Sequence, residues 1–357
     1  MAMLSRSKLA AAAAVVVVGG LLVVGRWLQP RLDGTPGPTP SSSRPSEAAA
    51  PTTGPPVATA PPSIASLPGV TRIASFPSLV DDIAVGRGVV WVATGGLVVR
   101  VDPAGRRAEV VPGIETTAPP VVGLTVGAGA VWADTTASRL LRLNPRTAQV
   151  VASLAVPAAG VAIDHGGVWA VCCDVGTSTG LLYRIDPASN RVVATVRLPG
   201  AADAVGVGAG GVWVRSPAGL VWRVDPASGR VVATIRFRHD AGSGEPGGAV
   251  AVTRDGVWVS DPAGGMVWRI DPRRNQLTGE RWEAAGSDLA VAADGVMWTS
   301  SETRLLGLGR SRLVGPYQTL FEFGAGRITA VEAAPDGLWL GSPDGLFHVD
   351  QGALQGP

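Results

Sequence analysis

Lysine is almost absent from this chain. Lys8 is the only one, and the other 29 basic residues are arginines. With the Ala, Gly, Val and Pro bias, this reads as a base-composition signature rather than a functional charge pattern. Charge of either sign is sparse, at 16% of 357 residues, and the formal net charge is +2. Beyond residue 50 there are 25 basic against 26 acidic residues, so the body is near neutral. It lacks the basic footprint that a phosphate backbone requires, which argues against nucleic acid as a partner. Histidine is scarce too, at three, which removes the commonest general base from most of the chain. The two cysteines are neighbours, so no disulfide framework exists. Long helical periodicity is also missing. The 48 glycines and 29 prolines instead favour many turns between short strands.

One uncharged run stands out. Arg6 and Lys8 precede Leu9 to Gly25, seventeen residues that would span ~26 Å as a helix, enough for a bilayer core. A cleaved signal peptide is the competing reading, but the following GRWLQPRL offers no small-x-small cleavage site. The expectation is an uncleaved single-pass anchor over 9–28, with a cytoplasmic tail of residues 1–8 too short to relay a signal. Positive charge on that side puts the remainder outside the cytoplasm, although Arg26 and Arg31 weaken the asymmetry. Residues 29–68, including TPGPTPSSSRPSEAAAPTTGPP, have too few large apolar groups to offset the entropy of ordering. They read as a disordered linker, at ~3 Å per residue a stalk of ~100 Å.

The rest is repetitive. RIDPASNRVVATVRLPG (184–200) returns 39 residues later as RVDPASGRVVATIRFRH. Each unit is marked by a strand bearing tryptophan after a glycine turn: Trp91, Trp132, Trp169, Trp213, Trp258, Trp298 and Trp339, spaced 37–45 residues apart. Self-similarity at that period with alternating strands is the mark of a β-propeller. One unit resolves into strands at 204–209, 211–215, 219–224 and 230–236. The expected fold is therefore all-β: a seven-bladed propeller of four-stranded blades over 69–351. Its last unit lacks a fourth strand, which VTRIASF (70–76) would supply. Asp-Pro pairs at Asp102, Asp186, Asp225 and Asp271, with Asn144-Pro145, mark the turn between third and fourth strands. The arginines before them (Arg100, Arg142, Arg184, Arg223, Arg269) are expected to face outward between blades. The tryptophans are expected in the inter-blade core.

The unit VGAGGVWVRSPAGLVWRVDPASGRVVATIRF resembles the YVTN-type repeats of bacterial extracytoplasmic propellers, and is similar to repeats of streptogramin-lyase-like proteins. The resemblance covers residues 70–350. It implies the fold, while function stays open, because such propellers host lyases, lactonases and non-catalytic binders. A streptogramin lyase is expected to use histidine and glutamate over the central channel. Here His165 falls in a turn on the opposite face and His348 takes the arginine position of the last unit, leaving His239 alone on the binding face. A calcium-dependent lactonase would present acids and asparagines to the channel, yet Asn144, Asn190 and Asn275 all fall in far-face turns. The quinoprotein blade signature is absent.

Two stretches are longer than their counterparts: 172–180 in the third unit and 236–248 between the fourth and fifth. They nominate Cys172, Cys173, Asp174, Arg236, Arg238, His239 and Asp240 as ligand-binding candidates. Cys172 and Cys173 would form either a strained vicinal disulfide or two ordinary small residues at a strand end. Asp82, Asp203 and Asp288 recur nine or ten residues before their tryptophans, placing three carboxylates at the channel mouth. They would cap backbone amides or hold a cation such as Ca2+. No catalytic set emerges. The leading expectation is a membrane-anchored extracytoplasmic module that binds a protein or cell-envelope ligand. The alternative is a lyase or hydrolase centred at the channel mouth.

Overall fold

Short strands of alternating valine and small residues have one face to bury, and in this chain they bury it against their own repeats. The computed structural model describes residues 64, 67–104, 106–114, 120–164, 166–173, 179–238, 247–283, 286, 288–292, 296–301, 304–308, 318–322 and 328–355. They form four-stranded antiparallel sheets, each written from innermost to outermost strand. Sheet one is Val80–Gly86, Val89–Thr94, Leu97–Asp102 and Arg107–Val110; sheet two is Val121–Gly127, Ala130–Thr135, Arg139–Leu143 and Val150–Leu154. Sheet three is Gly160–Asp164, Gly167–Cys173, Gly180–Asp186 and Arg191–Arg197; sheet four is Ala204–Gly208, Gly211–Ser216, Leu220–Val224 and Val231–Arg236. Sheet five is Val250–Val252, Val257–Asp261, Met266–Asp271 and Gln276–Glu283; sheet six is Leu289–Val291, Met297–Ser301, Arg304–Leu308 and Gln318–Glu322. Sheet seven is Ala330–Ala334, Gly337–Ser342 and Gly345–Asp350, with Val70–Ala74 as its outermost strand.

The architecture is a β-propeller with four-stranded blades. Innermost strands touch in chain order, and the innermost strand of sheet seven meets that of sheet one. The closing strand pairs Val70 with Val349 and Arg72 with Phe347, so one sheet takes strands from both ends of the folded body. Packing reaches further back than composition does. Ile64, inside the Pro/Ser/Thr/Ala-rich stretch, is buried among Trp298, Leu338 and Phe347. No helix among the described residues is long and apolar enough to cross a membrane. The expected anchor at 9–28 lies outside the described residues, as does nearly all of the linker.

Core clusters sit between neighbouring sheets, and each repeat tryptophan packs toward the sheet that follows. Trp91 lies with Leu124 and Val131, Trp213 with Val257 and Ile270, and Trp339 with Val90 and Val92 across the closure. All seven are at most 3% exposed. On four of the tryptophans lies the arginine directly opposite on the third strand: Arg142 on Trp132 (5.6 Å to the ring centroid), Arg184 on Trp169 (5.4 Å), Arg223 on Trp213 (5.1 Å) and Arg269 on Trp258 (5.3 Å). These side chains do lie between sheets, but the expectation that they face outward needs correction, because they are half-buried clasps. Arg142 donates to the Pro187 carbonyl and Asn190 Oδ1, both at 2.7 Å; Arg223 does the same to Pro272 (2.9 Å) and Asn275 (2.8 Å).

The Asp-Pro turn is thus shaped to receive the preceding arginine. Asp186 accepts the Ser189 hydroxyl and the amides of Ala188 and Ser189, and Asp225 accepts the Ser228 amide and hydroxyl and the Ala227 amide. Those bonds hold both carboxyls below the ordinary range. Asn190 and Asn275, both at φ 55°, hold the left-handed position that points Oδ1 at the incoming guanidinium. His348 replaces the arginine in sheet seven, with its ring 4.5 Å from Trp339. Replacing Arg223 with methionine removes a stacked cation and two charge-assisted bonds, so we expect a loss of about 1–2 kcal/mol in urea unfolding. Arg191→Met, on an exposed strand position, should stay within about 0.5 kcal/mol of the parent.

Candidate functional site

The innermost strands surround a cavity of about 520 Å³ whose described lining includes Asp82, Asp134, Asp203, Asp288 and Glu332 and no basic residue. The strand pleat sends alternate residues inward, which brings carboxyls from sheets one, two, four, six and seven to one space.

Asp82, Asp203 and Asp288 are where the sequence places them, and their use of both oxygens is specific. Asp82 Oδ1 accepts the amide of Ile83 (2.8 Å), and Oδ2 accepts that of Leu124 in the next sheet (2.6 Å). Asp288 repeats this with Leu289 (2.8 Å) and Val331 of sheet seven (2.9 Å). Asp203 Oδ2 accepts from Gly247, just ahead of sheet five, at 3.3 Å. Each carboxylate caps its own strand or ties it to the next one. Among the described residues, no group of three or more His, Cys, Asp or Glu side chains could hold a metal ion. The cation-holding reading of these aspartates, Ca2+ included, therefore lacks a ligand set within the described residues.

Residues that sequence reasoning missed complete the site. Arg215 is fully buried between sheets four and five; it pairs with Asp203, lies 3.6 Å from Asp261 Oδ1, and donates Nε to the Ser260 carbonyl at 2.9 Å. Its guanidinium fills the place a side chain at Gly248 would need, so glycine is required there. Asp134, 4% exposed, stands opposite Gly123 and projects its carboxylate over that glycine's missing side chain. Glu332 sits on the innermost strand opposite Trp339 and accepts the Val85 amide from sheet one. A signal existed for each. The residue two after the repeat tryptophan is Ala93, Val171, Ser260, Ser300 or Gly341 in five repeats, but Asp134 and Arg215 in the other two. Opposite the tryptophan stand Ala84, Thr125, Ala162, Gly206, Ala251 and Ala290, but Glu332 in sheet seven.

The longer loops are only partly placed. Cys172 is buried and lines the cavity, as does Gly248, so the roots of both loops reach the same rim. Asp174, His239 and Asp240 lie outside the described residues, as do the Cys173 side chain and hence any bond between the two cysteines. His165 lies outside them too. Arg236 and Arg238 are exposed at the end of the outermost strand of sheet four and do not line the cavity.

Burial drives the protonation of the cavity carboxyls. It raises Asp134 to about 7 and Glu332 to about 8, the Asp288 charge adding to the latter while the Val85 amide opposes. Burial lifts Asp82 well above the carboxylate range, reinforced by Asp288 and opposed by its two amides; Asp288 is raised by burial against its own. Burial also raises Asp203, with the Arg215 guanidinium pulling the other way.

No protein-family profile and no curated protein sequence matches the chain. Solved structures do. A chain of the mitotic checkpoint complex aligns at TM-score 0.64 and 12% identity, over 92% of this chain and 100% of its own. Virginiamycin B lyase from Staphylococcus aureus aligns at 0.64 and 13%, over 79% and 98%. U3-55K aligns at 0.62 and 12%, over 79% and 98%. At these identities the likeness is one of fold.

Two outcomes follow from the cavity. Arg215→Met should cost about 3–5 kcal/mol in chemical unfolding, because Asp203 and Asp261 lose the buried cation; Gly248→Ala should destabilise as well, by displacing the guanidinium. For pH, Asp134 and Glu332 hold protons in the folded state that the unfolded chain releases near 4. Stability is therefore fully present below pH 4 for these groups. It falls as pH rises to about 7 for Asp134 and about 8 for Glu332, by up to ~1.4 kcal/mol per unit per group. Melting curves from pH 5 to 8.5 should show that decline, and Glu332→Gln should flatten it.

Proposed function

We propose that this protein is a seven-bladed propeller displayed outside the cytoplasm on an N-terminal membrane anchor and stalk, where it binds a protein or cell-envelope ligand without catalysis. The blade count is supported by the sheets described above and by the cyclic contact of their innermost strands. The anchor and location rest on the Leu9–Gly25 run and the charges before it. The observation that carries the non-catalytic reading is how the cavity carboxylates are used. Asp82 and Asp288 spend both oxygens on backbone amides, and Asp203 is joined to Arg215 and Gly247, so these groups hold sheets together. No histidine lines the cavity among the described residues. The fold is shared with a component of a checkpoint complex, in keeping with a protein partner.

The second reading, a lyase or hydrolase at the channel mouth, has one observation in its favour: Asp134 and Glu332 are raised into the range useful for general acid–base work. The two readings part on a cross-linking pull-down from native membranes, comparing the full chain with a variant whose 172–180 and 236–248 loops are trimmed to the length of their counterparts. A protein captured by the full chain and lost on trimming is the expected result. Capture of nothing by either form would remove the scaffold reading and favour catalysis.

A further inference from the structure

Of the carboxylates lining the cavity, Asp134 differs in kind. Asp82, Asp288 and Glu332 accept backbone amides, and Asp203 meets Arg215. Asp134 is 4% exposed, yet its carboxylate accepts only its own backbone amide, with no hydrogen bond or ion pair to another described residue. Its charged neighbour is Asp82, which repels it. A buried acid that ties nothing together is an anomaly in a site where every comparable group does. Five valines, Val122, Val126, Val161, Val205 and Val250, line the cavity together with the hydroxyl residues Thr125, Thr135, Thr136 and Ser138.

We propose that the central cavity binds an organic monocation, its ammonium group seated on Asp134 and its apolar body against the valine wall. The size suits a small molecule, since ligand cavities run from about 300 to 1,000 Å³. The sign of charge follows from Asp134, the acid left without a tie to another element, in a lining with no described basic residue. A single charge rather than two follows from there being one such acid. A metal ion is disfavoured because no three ligating side chains converge among the described residues. The Asp134 oxygen is also well placed to receive a donor. It occupies the space left by Gly123, so its position is set by backbone on one side and open to the cavity on the other.

The test is calorimetric titration of the purified full chain with benzylamine, 2-phenylethylamine and cyclohexylmethylamine, alongside 2-phenylethanol as the neutral counterpart and calcium chloride. At least one amine should bind with one-to-one stoichiometry and at least ten-fold more tightly than the alcohol. Asp134→Asn should bring that amine down to the affinity of the alcohol, whereas Asp344→Asn, on an exposed turn, should leave it unchanged. Thermal unfolding reports separately whether Asp134→Asn remains folded, and Asp134→Ser serves if it does not. Failure of all three amines, retention of amine binding in both Asp134 variants, or calcium binding in place of amines would overturn the proposal. Because the titration uses the isolated chain, it is decided independently of the pull-down from membranes.

Discussion

The seam between one four-stranded sheet and the next is what the whole molecule depends on. Four short strands bury too little to stand alone, and the clusters of apolar side chains lie between sheets rather than within one. Polar contacts of two kinds cross these seams. Near the channel, an aspartate at the head of an innermost strand reaches to the amide of the following sheet, as Asp82 does to Leu124. Toward the far face, an arginine lying on the buried tryptophan reaches to the following Asp-Pro turn, as Arg223 does to Pro272 and Asn275. Apolar packing supplies the bulk of the stabilisation and carries no direction. The directional polar contacts fix how a sheet is rotated against its neighbour where they cross a seam.

Much of this was readable in the residues. The tryptophan period marked one sheet each, and the strands expected at 204–209, 211–215, 219–224 and 230–236 fall within a residue of those observed. The spare strand after residue 69 does complete the last sheet. Turn chemistry was legible because it is local: Asp186, Pro187 and Asn190 fold on themselves. What escaped was the second partner of a residue whose first role was clear. Asp82 read as a cap from its place at a strand start, but its bond to Leu124 spans the seam, and periodicity does not encode that approach. Arg223 likewise read as an outward residue, because alternation assigns a face and not a stacking partner.

The cavity was harder to read than the frame. Asp134, Arg215 and Glu332 each break a pattern of small residues at one repeat position, and they stand out only when all seven repeats are aligned on their tryptophans. Their effects also differ in ways composition hides. The Arg215 cation meets carboxylates on both sides, while Asp134 is left unmatched in the same kind of environment. The difference lies in what stands opposite, since the space left by Gly248 is filled by a guanidinium from the neighbouring sheet and that left by Gly123 by the unmatched carboxylate itself.

Pairing Val70 with Val349 also constrains how the chain reaches its final shape. Contacts between successive sheets form over tens of residues, so most of the array can assemble in order as the polypeptide emerges. The last register joins segments separated by nearly the entire folded length, and loop closure on that scale is slow compared with local pairing. Until residue 349 is available, the first strand has no mate and the last sheet has an open edge, which is the state most exposed to pairing with another molecule. Completion is therefore a single late event, and a chain halted shortly before its end would carry nearly every blade yet remain an unclosed arc.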